Sequence, residues 1–394
     1  MKILFTGYNF DGYHGSMMLI SEIAAYLKGQ GHDIYIASLN LTAKIQKEIT
    51  KMGLKIFSVE KLPENIEYDI IWAYHYPLLV YLLNKNIKYK KIVCGCLSGL
   101  LIPLETPNLL CYQNNIPILV NSEETKNKLT ENYPSLTNQY RVLLNLVPDE
   151  FFSYAKAFLP EQQKKIAIVS NHVPKELGEA KKLLEKQGII VDVYNGVDET
   201  KQNIKITPSV LSDYDTVITI GKTVQYSLAL GIPVYNYDYM GGSGYINLEN
   251  IDVEEFYNFS GRSFERKLTS KQLVEEILNG YKASLKDIKQ LQEIAKERYL
   301  LSKNVDKVIQ EIENLPNTII EQTEQWDLYS KQISYLLGEI LVCKTGGKNA
   351  NLYRKIRFHL LNYFPCEFRI VVINIEKFAY KILNRICFNR LKKF

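Results

Sequence analysis

A chain of 394 residues with 46% hydrophobic and 23% charged residues has the composition of a soluble globular protein and is too long for one ordinary core. Its net charge of +5 is uneven, because residues 350–394 carry ten Lys or Arg against Glu367 and Glu376. That segment is +8 and the remainder is −3. No apolar run reaches the roughly 20 residues of a membrane span, and MKILFTGY at the start has no signal-peptide pattern. The six cysteines show no disulfide framework, and Cys94 and Cys96 alternate along a strand pattern as a poor metal pair. A cytoplasmic protein with reduced thiols and no bound metal is expected.

In chain order, Lys2–Tyr8 reads as a strand and NFDGYHG as a loop with Gly12 and Gly15. Ser16–Lys28 then places Met17, Ile20, Ala24 and Leu27 on one helical stripe. Strands are expected at 32–39, 55–59, 70–74, 91–95 and 117–121, with helical or irregular segments between them. Residues 141–152 read as the end of this unit and a hinge. A second unit of the same type begins near Lys164, with strands at 166–170, 189–194, 217–220 and 234–237 and a helix at 175–187. Strands alternating with helices predict an α/β protein of two doubly wound parallel sheets. The expected domains are 1–150, 151–315 and a helical extension 316–394. A ligand cleft is expected between the first two.

The stretch YDTVITIGKTVQYSLALGIPVYNYDYMGGSGY (214–245) is the most informative. It reads strand, Gly221, a helix opening on Lys222-Thr223, Gly231 as its stop, a second strand, then Gly241–Gly244 as a loop. Two glycine loops at strand carboxyl ends, one releasing a helix with free N–H groups, make a site suited to a diphosphate. Gly221, Lys222 and Thr223 are expected at its phosphates, with Gly242 and Gly244 beside them. A lysine is unfavourable at the positive end of a helix dipole unless an anion shares the place.

Four segments in order resemble the GT-B glycosyltransferases, in particular the family 4-like branch that builds bacterial surface polysaccharides. They are GSMMLISEIAAYLKGQGHDIYI, PILVNSEETKNKL, RVLLNLVPDEFF and LALGIPVY, and the resemblance covers about residues 1–315. It implies two Rossmann-like domains, with the acceptor on the first and a nucleotide-diphosphate sugar, as substrate rather than cofactor, on the second. The paired glutamates of many retaining members are absent: Ile218 and Tyr226 stand at those positions. Donor identity and stereochemistry are thereby left open. So are two alternatives of the same fold, a non-catalytic partner that binds glycan and a nucleotide-sugar epimerase.

Glycosyl transfer needs the leaving diphosphate stabilised and, for inversion, a base on the acceptor hydroxyl. Asp11 and His14 in the first glycine loop, and His75 at a strand end, are the expected bases, with Glu105 a weaker one. His172 ends a strand where the resemblance implies a phosphate site and is expected on phosphate or sugar. Arg262 is a further expected contact of that kind from a loop, and Asp238, leading into the second glycine loop, is expected to accept from sugar hydroxyls. The basic, apolar-interleaved tail from Phe368 predicts amphipathic helices on an anionic membrane surface, which suits a polyprenyl-linked glycan acceptor. No nucleic-acid motif accompanies that charge.

Overall fold

A computed structural model describes residues 1–99, 105, 109–194, 204–264, 266–320, 326 and 330. The helical extension expected at 316–394, with its basic tail, therefore lies outside the described residues, save 316–320, 326 and 330. The compact unit Met1–Thr323 holds two sheets. Among the described residues, the first has seven parallel strands: β1 (Lys2–Phe10), β2 (Asp33–Leu41), β3 (Lys55–Ser58), β4 (Glu67–Tyr74), β5 (Lys88–Cys96), β6 (Ile118–Val120) and β7 (Tyr140–Val142). Their order is β3-β2-β1-β4-β5-β6-β7. The second sheet contains β8 (Lys165–Val169), β9 (Ile190–Tyr194), β10 (Thr216–Thr219), β11 (Val234–Asp238) and β12 (Gly241–Tyr245) in the order β12-β11-β10-β8-β9. The chain is thus α/β and doubly wound twice.

Short apolar runs make these strands because both faces are covered. Ile3, Leu4 and Phe5 of β1 and Thr216, Val217 and Ile218 of β10 have no exposed surface, as expected of parallel strands packed by helices on each side. The first helix, Gly15–Gly29, buries Met17, Ile20, Ile23, Ala24 and Leu27 against the first sheet. Its stop at Gly31 has φ +86°, a conformation that glycine adopts without steric cost.

Each sheet has one place where successive strands diverge to opposite sides. In the first it lies between β1 and β4, and in the second between β8 and β10. Such a divergence opens a crevice at the strand carboxyl ends, where side chains from two loops can meet a ligand.

Two expectations need correction. The segment Gly241–Tyr245 is not a phosphate loop but the antiparallel strand β12, paired with β11. Its glycines answer to crowding. A Cβ on Gly242 would lie 1.9 Å from the carbonyl oxygen of Asn236, and one on Gly241, at φ +94°, 2.3 Å from that of Arg266. The boundary at 315 also moves. The helix Ser270–Tyr299 closes the second domain, but the helix Leu301–Glu313 packs Leu301, Val305, Val308, Ile309 and Ile312 into the core of the first. The crossing is tied by Val147 N–H to Tyr299 O at 2.8 Å and Leu301 N–H to Val147 O at 2.9 Å. Thr318 follows the same side, its N–H donating to Lys90 O at 2.8 Å.

Candidate active site

The two crevices face one cleft of ≈ 450 Å³, within the roughly 300–1,000 Å³ usual for small-ligand sites. From the first domain it is lined by His14, Ser16, His75, Glu105 and Asn121, and from the second by Ser170, His172, Gly221, Lys222, Thr223 and Asp238. Eight sequence-expected residues, His14, His75, Glu105, His172, Gly221, Lys222, Thr223 and Asp238, spread over more than 200 positions, are thus brought to one place. Gly242, Gly244 and Arg262 are absent from that lining.

On the first-domain wall, the loop after β1 presents an Asp–His pair. His14 Nε2 lies 3.2 Å from Asp11 Oδ1, and Nδ1 lies 3.1 Å from the hydroxyl of Ser16. Asp11 stands outside the lining, behind the ring. With Asp11 holding a proton on Nε2, Nδ1 accepts from the Ser16 hydroxyl, and it can take a proton from a ligand hydroxyl that replaces Ser16 there, as a general base does.

His75 is held differently. It ends β4 in the left-handed region at φ 59°, uncommon for any residue but glycine. Its Nδ1 accepts the backbone N–H of Tyr8 at 3.1 Å, so the neutral ring carries its proton on Nε2. That proton points to Glu105 Oε1 at 3.4 Å. With Nδ1 taken by a buried N–H and Nε2–H aimed at a carboxyl, His75 is not placed to abstract a proton. The expectation of a base at His75 is replaced by a donor that orients Glu105. Glu105 is itself buried, with Oε2 accepting Leu97 N–H at 2.7 Å. Burial pushes its carboxyl up to about 7, against the opposing effects of Leu97 N–H and the Cys96 thiol.

On the opposite wall, the helix Lys222–Ala229 starts at Gly221, which has φ 62° and ψ −140°. Gly221 N–H is spent on Phe259 O at 2.7 Å. The N–H groups of Lys222 and Thr223, in the first turn, have no intrahelical acceptor, as in any helix. Beside them Ser170 Oγ donates to Asp238 Oδ2 at 3.1 Å and accepts His172 N–H at 3.0 Å. Burial raises the Asp238 carboxyl above the usual range, partly offset by the N–H of Tyr239. Asp238 and the exposed His172 are thus neighbours across Ser170.

Lys222 departs most from expectation. Its ammonium is buried, 2.9 Å from Glu22 Oε2, and it donates to Leu146 O. Burial draws its pKa down while Glu22 pulls it up. Glu22 comes from the first helix and also accepts the Tyr226 hydroxyl. Tyr226, at a position where the resemblance leads one to look for a glutamate, stacks on Phe151 with ring centroids 4.3 Å apart. Arg262 is likewise spent: it pairs with Glu124 of the first domain. Both cations expected on phosphate are instead bound to carboxylates across the domain boundary. Sequence reasoning missed Glu22 and Glu124. Their only signal was an acid within an otherwise buried helical stripe.

No protein-family profile matches the chain, and no curated protein matches it. Solved structures do. A glycosyltransferase from Rickettsia africae ESF-5 superposes with a TM-score of 0.50 at 13% identity, over 79% of this chain and 97% of that one. A mutant of S. aureus TarM, solved with Fondaparinux, alpha-GlcNAc-glycerol and UDP, does so with a TM-score of 0.51 at 10% identity, over 78% of this chain and 99% of the other. The protein has the GT-B fold.

Two measurements check this geometry. Lys222→Ala leaves Glu22 buried without its cation, so unfolding by urea is expected to show a loss of about 3–5 kcal/mol, the usual cost of breaking a buried pair. An unchanged midpoint would return Lys222 to the surface. Glu105 binds its proton more tightly folded than unfolded, so its contribution is full below pH 4.5 and lost as pH rises through about 7. Glu105→Gln is expected to remove that part of the pH dependence, at most about 3 kcal/mol; parallel stability curves from pH 5 to 8 for the two proteins would contradict it.

Proposed function

We propose that the protein transfers a sugar from a nucleotide-diphosphate donor, held by the second domain, to a hydroxyl of a glycan or lipid-linked acceptor on the first. The observation that carries this reading is the meeting, in one cleft, of the Lys222–Ala229 helix start and the His14–Asp11 pair. The GT-B fold and the UDP bound in the TarM structure support it. The diphosphate lies against the N–H groups of Lys222 and Thr223 at the positive end of the helix dipole. Asp238 and Ser170 accept from and donate to sugar hydroxyls, and His172 stands at the phosphate edge.

In the reaction, the acceptor oxygen bonds to the anomeric carbon while the bond from that carbon to the diphosphate oxygen breaks. Its electron pair leaves with the phosphate, and the acceptor proton passes to His14. Asp11 orients the His14 ring and stabilises the imidazolium that forms. Such a sequence inverts the anomeric centre and needs no divalent metal. The donor and acceptor are those of bacterial surface-polysaccharide synthesis in this reading. The basic segment 350–394 attaches the enzyme to the cytoplasmic face of the membrane, where polyprenyl-linked acceptors lie.

Calorimetry with UDP, GDP, ADP and dTDP is expected to find one that binds equally with and without EDTA. His14→Ala should keep that affinity while turnover of the matching nucleotide sugar falls by about 10²–10⁴-fold, the usual contribution of a general base. Strict dependence on manganese, or undiminished turnover, would contradict the metal-free and base assignments respectively. For the tail, full-length protein is expected to float with anionic liposomes at low salt and to be released at high salt. A truncation ending at Asn349 should stay behind, and equal flotation of both would sink the membrane role.

A further inference from the structure

Lys222 is the single Lys or Arg among the described residues that line the cleft. Its ammonium is already fully engaged. It donates a hydrogen bond to Leu146 O and forms an ion pair with Glu22 Oε2 at 2.9 Å, and the ring of Tyr226 lies with its centroid 5.0 Å from Nζ. Glu22 is equally committed, with Oε1 accepting the Tyr226 hydroxyl and Oε2 facing the ammonium. Both side chains are only 7% exposed. An anion placed at the start of the Lys222–Ala229 helix therefore meets a cation that another carboxylate holds.

We infer that Glu22 competes with the donor's phosphates for Lys222, so that this carboxylate of the first domain sets donor affinity on the second. The inference rests on the donor reading of the cleft. Two effects have the same sign. A phosphate that takes Lys222 strips Glu22 of its counter-charge while Glu22 stays buried, which is costly. A phosphate that merely approaches meets Glu22 as a like charge in a poorly solvated place, where Coulomb terms are large. Because Glu22 and Lys222 belong to different domains, donor binding also loosens one of the contacts that hold the cleft shut, and a closed apo cleft weakens the donor in return.

The opposite role is also defined. If Glu22 instead held Lys222 ready for phosphate, removing its charge would weaken the donor. The sign of one measurement separates the two. Full-length wild type, Glu22→Gln, Lys222→Met and the double variant are titrated calorimetrically with UDP, GDP, ADP and dTDP. Glu22→Gln, which keeps the volume and an acceptor for Tyr226, is expected to tighten the nucleoside diphosphate that binds by at least about fivefold, the low end of couplings between sites. In the Lys222→Met background the same substitution should change affinity little. Tyr226→Phe, which removes a donor from Glu22 without touching either charge, leaves that carboxylate more dependent on Lys222, so it should weaken binding, and it serves if Glu22→Gln does not fold. Weaker or unchanged binding in Glu22→Gln overturns the inference, as does tighter or unchanged binding in Tyr226→Phe or an equal gain from Glu22→Gln when Lys222 is gone. If none of the four diphosphates binds any variant, the donor reading itself fails, a result distinct from the others.

Discussion

A lysine at the first position of a helix is electrostatically misplaced, since the unsatisfied N–H groups there already carry partial positive charge. This fold accommodates it with a carboxylate from the other domain. Lys222, Glu22 and Tyr226 form a buried cluster at the point where the two sheets face each other. By the usual energetics such a pair adds little net stability over an apolar replacement, because desolvation consumes most of the attraction. Its value lies in register. The ammonium is satisfied only when the Lys222–Ala229 helix and the first helix stand at one separation. The width of the cleft, and hence what fits between His14 and the helix start, depends on it.

Both walls of the cleft follow from sheet topology. A parallel strand that ends at a divergence point leaves its loop over the sheet edge, and in each domain two such loops converge. β1 and β4 deliver the His14 loop and His75; β8 and β10 deliver Ser170–His172 and Gly221. The packing beneath is apolar and continuous, so the polar groups project from rigid supports. The cross-domain helix Leu301–Glu313 adds a second tie on the far side of the hinge at Val147.

Much of this was legible in the sequence because it is local. Strand runs such as 217–220 and helix stripes such as Met17, Ile20, Ala24 and Leu27 are patterns within ten or twenty residues, and they fell within a few residues of the observed elements. The helix start after Gly221 was legible for the same reason. What failed was non-local. Glycine pairs suit both an anion loop and a crowded strand, and only the approach of Asn236 and Arg266 to Gly242 and Gly241 decides between them. His75 was read from its place at a strand end, but its role turns on Tyr8 N–H, 67 positions away. Glu22 and Lys222 are 200 positions apart, and no periodicity links them.

The cross-domain polar contacts share a polarity that bears on how such a cleft works. The first domain supplies acids, Glu22 and Glu124, and the second supplies bases, Lys222 and Arg262. The contact between the domains therefore draws on two cations of the second, and of these Lys222 alone lines the cleft. In the proposed donor reading, an anionic ligand at that helix start would replace Glu22 as the counter-charge of Lys222. Neutral contacts such as Asn145 Nδ2 to Asn258 Oδ1 at 2.8 Å are indifferent to the exchange and keep the domains in contact while it occurs. Binding and domain closure are then coupled through charge, and the coupling weakens with salt least where the pair is most buried, at Lys222 and Glu22.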